Sequence, residues 1–186
     1  PEPYKGKKEV KIGEPGTTIT VGEAFSAVFP KKFFKLVKEQ TNLYASQSQR
    51  RDGRTGWKTM TMADVRRFLA MLFHMALVHK PSMRHYFSTN PVLDSSFTRI
   101  LGLSRDRFFD MLKYVHLNNN ALAKKKGDKE YDPLFKVRPL YDMLVENFQS
   151  LYVPSENLTV DEGIVPYRGL ISFKVYLKNK PSRYGI

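Results

Sequence analysis

Asp161 and Glu162 are the acidic pair that the residue pattern sets beside a strand end. A carboxylate carried on a strand can hold a divalent cation, because the rigid element fixes where its oxygens point. Two-metal phosphoryl chemistry asks for more: several carboxylates from different elements, converging within a few ångströms. One carboxylate is not a metal site, and on spacing alone a surface Asp at a turn is the simpler account. His74 and His79 stand five residues apart on a helix and share no face, while His85 and His116 lack matched ligands, so all four histidines are expected in core or surface roles. No phosphate-binding loop, Gly-rich dinucleotide turn or Ser/His/Asp set is visible. With no cysteine, a disulfide scaffold, a Cys-ligated zinc finger and a Cys nucleophile are excluded within these residues.

Positive charge is the second chemically loaded feature. Lys and Arg number 31 against 18 Asp and Glu, a net charge of +13 over 186 residues. The excess runs along the whole chain rather than forming a tail. That suits a body lying along a polyanion, since each neutralised phosphate releases counterions. Three clusters stand out: Arg50, Arg51 and Arg54; Lys124, Lys125 and Lys126; and Lys174, Lys178, Lys180 and Arg183, with Arg168 in a turn just before the last. Surface lysines also serve solubility alone, and on charge by itself both readings stay open.

These groups need elements to carry them. Residues 1–21 mix Lys, Gly, Pro and Glu without period and read as an extended lead-in. Phe25, Val28 and Phe29 then mark a helix, and Phe33, Phe34, Val37 and Thr41 a second one that Pro30 opens. Residues 46–56 hold no hydrophobic side chain and read as a loop around the arginine cluster. Thr61 and Asp64 have capping-box spacing, with Met60 and Val65 placed as a hydrophobic staple. In the helix that follows, Val65, Phe68, Leu69, Leu72, Met75, Ala76 and His79 keep helical rhythm, while Met71, Phe73, Leu77 and Val78 make other faces apolar too. Such a helix is expected in a core, its Leu72 side toward the interior; residues 25–41 and 137–152 are expected to surround it within the chain, the alternative being a Phe73 side that faces a second subunit.

Further on, Ser104 caps a helix carrying Phe108, Phe109, Leu112 and Val115, and residues 121–132 form a Lys-rich loop. A last helix carries Val137, Leu140, Tyr141, Leu144, Phe148, Leu151 and Tyr152 on one stripe and stops at Pro154. The period then changes to two. Leu158 and Val160 face opposite to Thr159 and Asp161, and Ile171, Phe173, Val175 and Leu177 alternate with polar residues, giving two strands joined at Pro166-Tyr167-Arg168-Gly169. The expected fold class is therefore α+β, mostly α: a helical region over 22–153 followed by an opening β-hairpin over 154–186.

The 41% hydrophobic fraction, with 13 Phe and 10 Tyr, is enough for a packed core. The strongest apolar stretch, Phe68 to Val78, is too short to span a bilayer, and Pro1-Glu2-Pro3 opens no secretory leader, so no membrane partner is expected. The missing initiator Met leads to the expectation of a cut or incomplete chain.

Several long runs resemble the piggyBac transposase family: LSRDRFFDMLKYVHLNNN (103–120), PLFKVRPLYDMLVENFQSLYVPSENLTVDEGIVPYRG (133–169) and FKVYLKNKPSRYGI (173–186), with Trp57 before its helix and HYFSTNP (85–91). The resemblance covers the chain from about Gly22 onward. It implies a helical dimerisation and DNA-binding region ahead of an RNase H-like core of the DDE/DDD type, whose first metal-binding aspartate falls on Asp161 within Leu158-Thr159-Val160-Asp161-Glu162. The implied cofactor is Mg²⁺, activating water or a 3′-hydroxyl for in-line attack on a phosphodiester. It also implies double-stranded DNA as partner, a homodimer pairing transposon ends, and work in the nucleus. Leu170 stands where relatives often place a basic residue.

The reading is thus part of a piggyBac-like cut-and-paste transposase or a domesticated derivative, with further aspartates expected after Ile186 and the chain alone expected not to cleave DNA. The alternative is a non-catalytic DNA- or chromatin-binding module. A basic helical protein–protein adaptor is a third possibility, unrelated to the family.

Overall fold

The computed structural model describes residues 9–13, 18–52, 56–93, 96–159, 161 and 163–186, with the side chains of 49–52 outside that set. Arg54, Val160 and Glu162 lie outside the described residues, as do most of 1–17. The chain divides into two compact units, residues 12–149 and residues 1–11 with 150–186.

In the larger unit the helices start where short polar side chains satisfy their free N–H groups. Thr20 and Glu23 form a capping box at α1 (Val21–Val28), and Thr61 and Asp64 form another at α3 (Met62–Leu77). Ser104 Oγ accepts from the Arg107 N–H at the start of α5 (Arg105–Tyr114). Pro30 precedes the first turn of α2 (Lys31–Asp52), as its fixed φ favours. A 3₁₀ turn (Met83–Phe87), α4 (Ser96–Leu101), a second 3₁₀ turn (Asn120–Leu122) and α6 (Arg138–Leu151) complete it. The core is a cluster of Phe33, Phe34 and Val37 from α2, Val65, Phe68 and Met71 from α3, and Phe108 and Met111 from α5, closed by Met60, Tyr86 and Leu103.

Four sequence expectations are corrected in this unit. Residues 46–52 are helix, not loop, because α2 runs on to Asp52. The cause is the small buried face of its second half: Thr41, Ala45 and Ser48 pack inward at helical spacing, and no hydrophobic stripe advertises them. On α3 the residue turned into the core is Met71, whereas Leu72 is 37% exposed and Phe73 48%; Val65, Phe68 and Met71 step by three, a line the i+7 count to Leu72 drifts away from. On α5 the fully buried set is Phe108, Met111 and Tyr114, with Phe109, Leu112 and Val115 only partly buried. On α6 the inward line is Leu140, Met143 and Asn147 rather than the predicted stripe, which leaves Val137, Tyr141 and Phe148 exposed. Asn147 escapes an apolar count because it is polar; its Nδ2 donates to the Val28 carbonyl at the end of α1 at 3.1 Å.

What joins α2, α3 and α5 is the short segment ahead of α3. From α2, Asn42 Nδ2 donates to the Met60 carbonyl at 2.9 Å, while its Oδ1 accepts from the Met60 N–H at 2.7 Å and from Trp57 Nε1 at 3.0 Å. From α5, Arg107 donates to the Lys58 carbonyl at 2.7 Å and to Asp64 Oδ2 at 3.1 Å, and its guanidinium lies 4.9 Å over the Trp57 ring. Trp57 meets Tyr114 edge-on at 5.0 Å. The Arg107 and Asp64 side chains are only 15% and 13% exposed. Burial pushes the Asp64 carboxyl up, but the Thr61 N–H and the Arg107 guanidinium outweigh that and hold it below the usual carboxylate range.

The smaller unit is built from short ladders. β1 (Glu9–Val10) pairs antiparallel with β2 (Tyr152–Val153), Glu9 opposite Val153. β3 (Val175–Tyr176) pairs with β4 (Tyr184–Gly185), Val175 opposite Gly185. The other edge of β4 faces residues 165–167, through Val165 N–H to Ile186 O at 3.0 Å and the return bond at 3.1 Å. This corrects the expected hairpin: residues 171–174 are not strand, 157–159 and 161 carry no strand, and β3 takes β4 as its partner. Leu158 is 69% exposed, so the alternation there has no apolar surface to pack on. The C-terminal residues fit between two segments because Gly185 has no Cβ; one there would overlap Ile164 and the Val165 carbonyl. The Tyr176 and Tyr184 rings meet at 4.8 Å.

Removing Arg107 strands the Lys58 and Thr59 carbonyls, takes one cationic partner from the Asp64 carboxylate and bares one face of Trp57. Arg107→Ala should cost about 2–4 kcal/mol in urea unfolding. Arg107→Lys should recover only part of that, since an ammonium cannot bond carbonyl and carboxylate in one fork while stacking on indole. A loss below about 0.5 kcal/mol for Arg107→Ala, the range of ordinary surface substitutions, would contradict this role.

Candidate nucleic-acid interface and carboxylate site

Asp161 lies in the smaller unit on irregular backbone, its side chain 68% exposed. Both of its oxygens accept from the Lys180 ammonium, at 2.7 and 2.8 Å. A bidentate contact of this kind neutralises the carboxylate and occupies the oxygens that a metal ion would need. Among the described residues no group of three His, Asp or Glu side chains is placed to hold a metal ion. The described residues therefore do not by themselves make a site for a divalent cation around Asp161.

The predicted cations of this unit divide by what they touch. Lys180 is turned onto Asp161. Lys174 donates to the Gly169 carbonyl at 3.3 Å and sits 6.0 Å over the Tyr184 ring. Arg168, Lys178 and Arg183 are exposed. Two of the five thus have contacts inside the unit, and three extend into solvent.

In the larger unit every residue from 121 to 130 is exposed. The loop is anchored at its base. Asn118 Nδ2 donates to the Phe135 carbonyl at 2.7 Å, and Arg138 clamps Asp132 through two bonds of 2.8 Å. Those Arg138 bonds hold the Asp132 carboxyl below its ordinary range and raise the guanidinium above its own. Inside the loop Asp128 accepts from the Lys125 N–H at 2.9 Å, and Lys124 reaches Glu130 at 3.7 Å. Among the described residues Lys125 and Lys126 make no ion pair, so their charge is available at the surface. Arg50 and Arg51 belong to α2, which places them on a helix rather than a loop; their side chains, and Arg54 altogether, lie outside the described residues.

The structure adds a fourth set of cations to the three that the sequence marks. Lys31, Lys35 and Lys38 fall at i, i+4 and i+7 of α2, in a row that flanks its buried Phe33, Phe34 and Val37. The signal was present in KKFFKLVK, where the spacing of the apolar residues fixes the spacing of the basic ones. The histidines hold to their expected roles. His74 stacks on Phe97 at 4.3 Å, His116 on Tyr44 at 3.7 Å, His85 contacts Ser82 at 3.0 Å and His79 is exposed. No helix among the described residues is long and apolar enough to cross a membrane.

The transposase IS4 family pattern matches residues 22–186. The chain is similar to human piggyBac transposable element-derived protein 5, 27% identical over 142 residues, covering 76% of this chain and 26% of that protein. It is also similar to human piggyBac transposable element-derived protein 3, 26% identical over 167 residues, covering 89% of this chain and 26% of the relative. It therefore spans about a quarter of the length of these curated relatives. Its fold resembles a chain in the cryo-EM structure of a piggyBac transposase synaptic complex with hairpin DNA, with TM-score 0.70 and 24% identity over 87% of this chain and 33% of that one. The similar fold is mostly helical α+β with small antiparallel sheets.

The ion pair at Asp161 is too exposed to hold the fold together. Exposed pairs contribute about 0–1 kcal/mol, so Asp161→Asn should leave the urea midpoint and the circular dichroism spectrum of the chain nearly unchanged. A loss well above about 1 kcal/mol would make Asp161 a structural residue.

Proposed function

Because the chain belongs to the transposase IS4 family, in its piggyBac-type branch, we propose that it is part of a transposase or of a domesticated derivative, and that it binds duplex DNA through phosphate contacts. The observation carrying this reading is the loop over 121–130: wholly exposed, rich in Lys, and fixed at its base by Asn118 and the Asp132–Arg138 clamp. A cationic loop on a rigid base meets phosphates without first being ordered, so little of its attraction is lost to entropy. Lys31, Lys35 and Lys38 offer a second row on α2. Such contacts fix position and carry no base sequence, which leaves recognition of particular ends to other groups.

In the whole protein, DNA transposition is the proposed activity, with residues 22–153 serving DNA binding and dimerisation and 154–186 opening an RNase H-like domain in a nuclear homodimer. Asp161 is the proposed catalytic carboxylate of this segment, and Mg²⁺ the proposed cofactor. One carboxylate cannot hold two metal ions against attacking and leaving oxygens, so cleavage is assigned to the intact protein and not to these residues alone. The second reading, a DNA- or chromatin-binding module without chemistry, is favoured by the same corner: Lys180 already neutralises Asp161.

Binding should weaken steeply as salt rises, with log K falling linearly in log salt. Replacing Lys124, Lys125 and Lys126 by Ala should flatten that slope by about one unit for each lost phosphate contact, equally on unrelated duplexes. Fluorescence anisotropy on two duplexes across a salt series measures both. No binding at low salt, or a slope indifferent to the triple substitution, would contradict the proposal.

A further inference from the structure

A groove on the larger unit has one apolar end and one basic end. At the apolar end, a cavity of about 550 Å³ is walled by Phe25, Phe29, Phe34, Leu69 and Phe73, with Lys31 and Arg66 at its edge. At the basic end, a cavity of about 380 Å³ is lined by Lys31, Lys32, Lys35 and Lys38 over Met62. Lys31 borders both, and Met62 and Arg66 are one turn apart on α3, so the two cavities run along one helix face. The aromatic walls hold one another: Phe73 meets Phe25 at 6.0 Å and Phe29 at 6.5 Å, both edge-on. Phe73 remains half exposed and Leu77, one turn further on, almost fully so. The Arg66 guanidinium lies 5.1 Å over the Phe34 ring. Of the basic set, Lys32 is engaged by Glu146 at 2.9 Å, and Lys38 has only Glu39 at 4.0 Å.

We propose that this groove binds an amphipathic acidic helix of a partner protein, with two apolar side chains one turn apart filling the Phe25–Phe29–Phe73 cavity and carboxylates on the next turns meeting Arg66, Lys31, Lys35 and Lys38. The length fits. From Met62 to Phe73 the α3 face spans roughly 16 Å, about three turns of a bound helix. Charge selects the occupant: apolar walls whose charged edge is Lys31 and Arg66, continued by a row of lysines, match a ligand that is greasy at one end and anionic at the other. Duplex DNA matches the basic end alone. A base turned out of the duplex would find one neutral polar side chain, Ser26, in the aromatic cavity, and its hydrogen-bonding edge would lose water without replacement.

The test titrates the whole chain with fluorescein-labelled synthetic helical peptides by anisotropy. The probe carries Phe and Leu at i and i+4 followed by Glu on the adjoining turns; one control has Lys for every Glu, another has Ser for both anchors. Only the acidic, anchored peptide should saturate. Ala70→Trp, which fills the cavity from its wall and leaves every charge in place, should weaken that binding at least about tenfold, as blocking a central anchor pocket does. Arg66→Glu should do so by at least about fivefold. Phe73→Ser, at a half-exposed position, supplies an independent anchor variant should Ala70→Trp unfold, as circular dichroism would show.

Equal binding of the Lys peptide, or no effect of a folded Ala70→Trp or Phe73→Ser variant, overturns the proposal. If light scattering finds a dimer that Ala70→Trp converts to monomer, a second copy is the occupant and the proposal falls.

Discussion

Arg107 is the side chain on which the helical unit turns. One guanidinium bonds the carbonyl of Lys58, pairs with Asp64 and covers the Trp57 ring, while Asn42 grips the same segment from the opposite side. Residues 56–61, just ahead of α3, are irregular, and irregular backbone beside a core must find partners for its polar groups. Side chains from α2 and α5 supply them. Met60, almost wholly buried, can then close the core below, and the Thr61–Asp64 box starts α3 from a fixed point. A hydrophobic cluster alone would hold three helices together without fixing their register; directional bonds at one corner fix it.

The lock also governs how charge is displayed. Asp64 and Asp132 are each taken up by an arginine, Arg107 and Arg138, so two acids are removed from the surface field together with two cations. Lys125 and Lys126 are exposed on the loop that the Arg138–Asp132 pair anchors, and Lys31 and Lys35 on α2, which Asn42 ties to the Met60 segment. A rigid cationic surface is what phosphate binding needs, and a rigid aromatic cavity beside it is what separates a protein ligand from a nucleic acid. In the smaller unit Asp161 is the exception, an exposed acid neutralised by Lys180.

Much of the fold was legible from the sequence, and what escaped shares a physical cause. Capping boxes at Thr20 and Thr61, and the Ser104 cap, are short-range geometry, and spacing alone marks Thr61 and Ser104. Phe33, Phe34, Val37, Val65, Phe68 and Phe108 follow from period. The missed interior is polar or small: Thr41, Ala45 and Ser48 carried α2 past its apparent end, and Asn147 took an inward position on α6. Asn42 and Arg107 carry no hydrophobic signal, and their partners lie 18 and 43–49 residues away, beyond any local window. Near Asp161 the period-2 pattern is real, but strand pairing depends on a partner segment, and residues 184–185 are the better fit for residues 175–176.

The Met60 segment must be held as firmly as a helix if Arg107 and Asn42 set the register of the unit. Residue-resolved hydrogen exchange tests it directly, because the Met60 amide lies outside any helix and bonds only to Asn42. At neutral pH it should exchange as slowly as the amides in the middle of α3, and far more slowly than those of residues 121–130, opening only when the unit unfolds. Exchange of the Met60 amide at the rate of that exposed loop would show that the corner opens independently, and the central place given to Arg107 and Asn42 would be wrong.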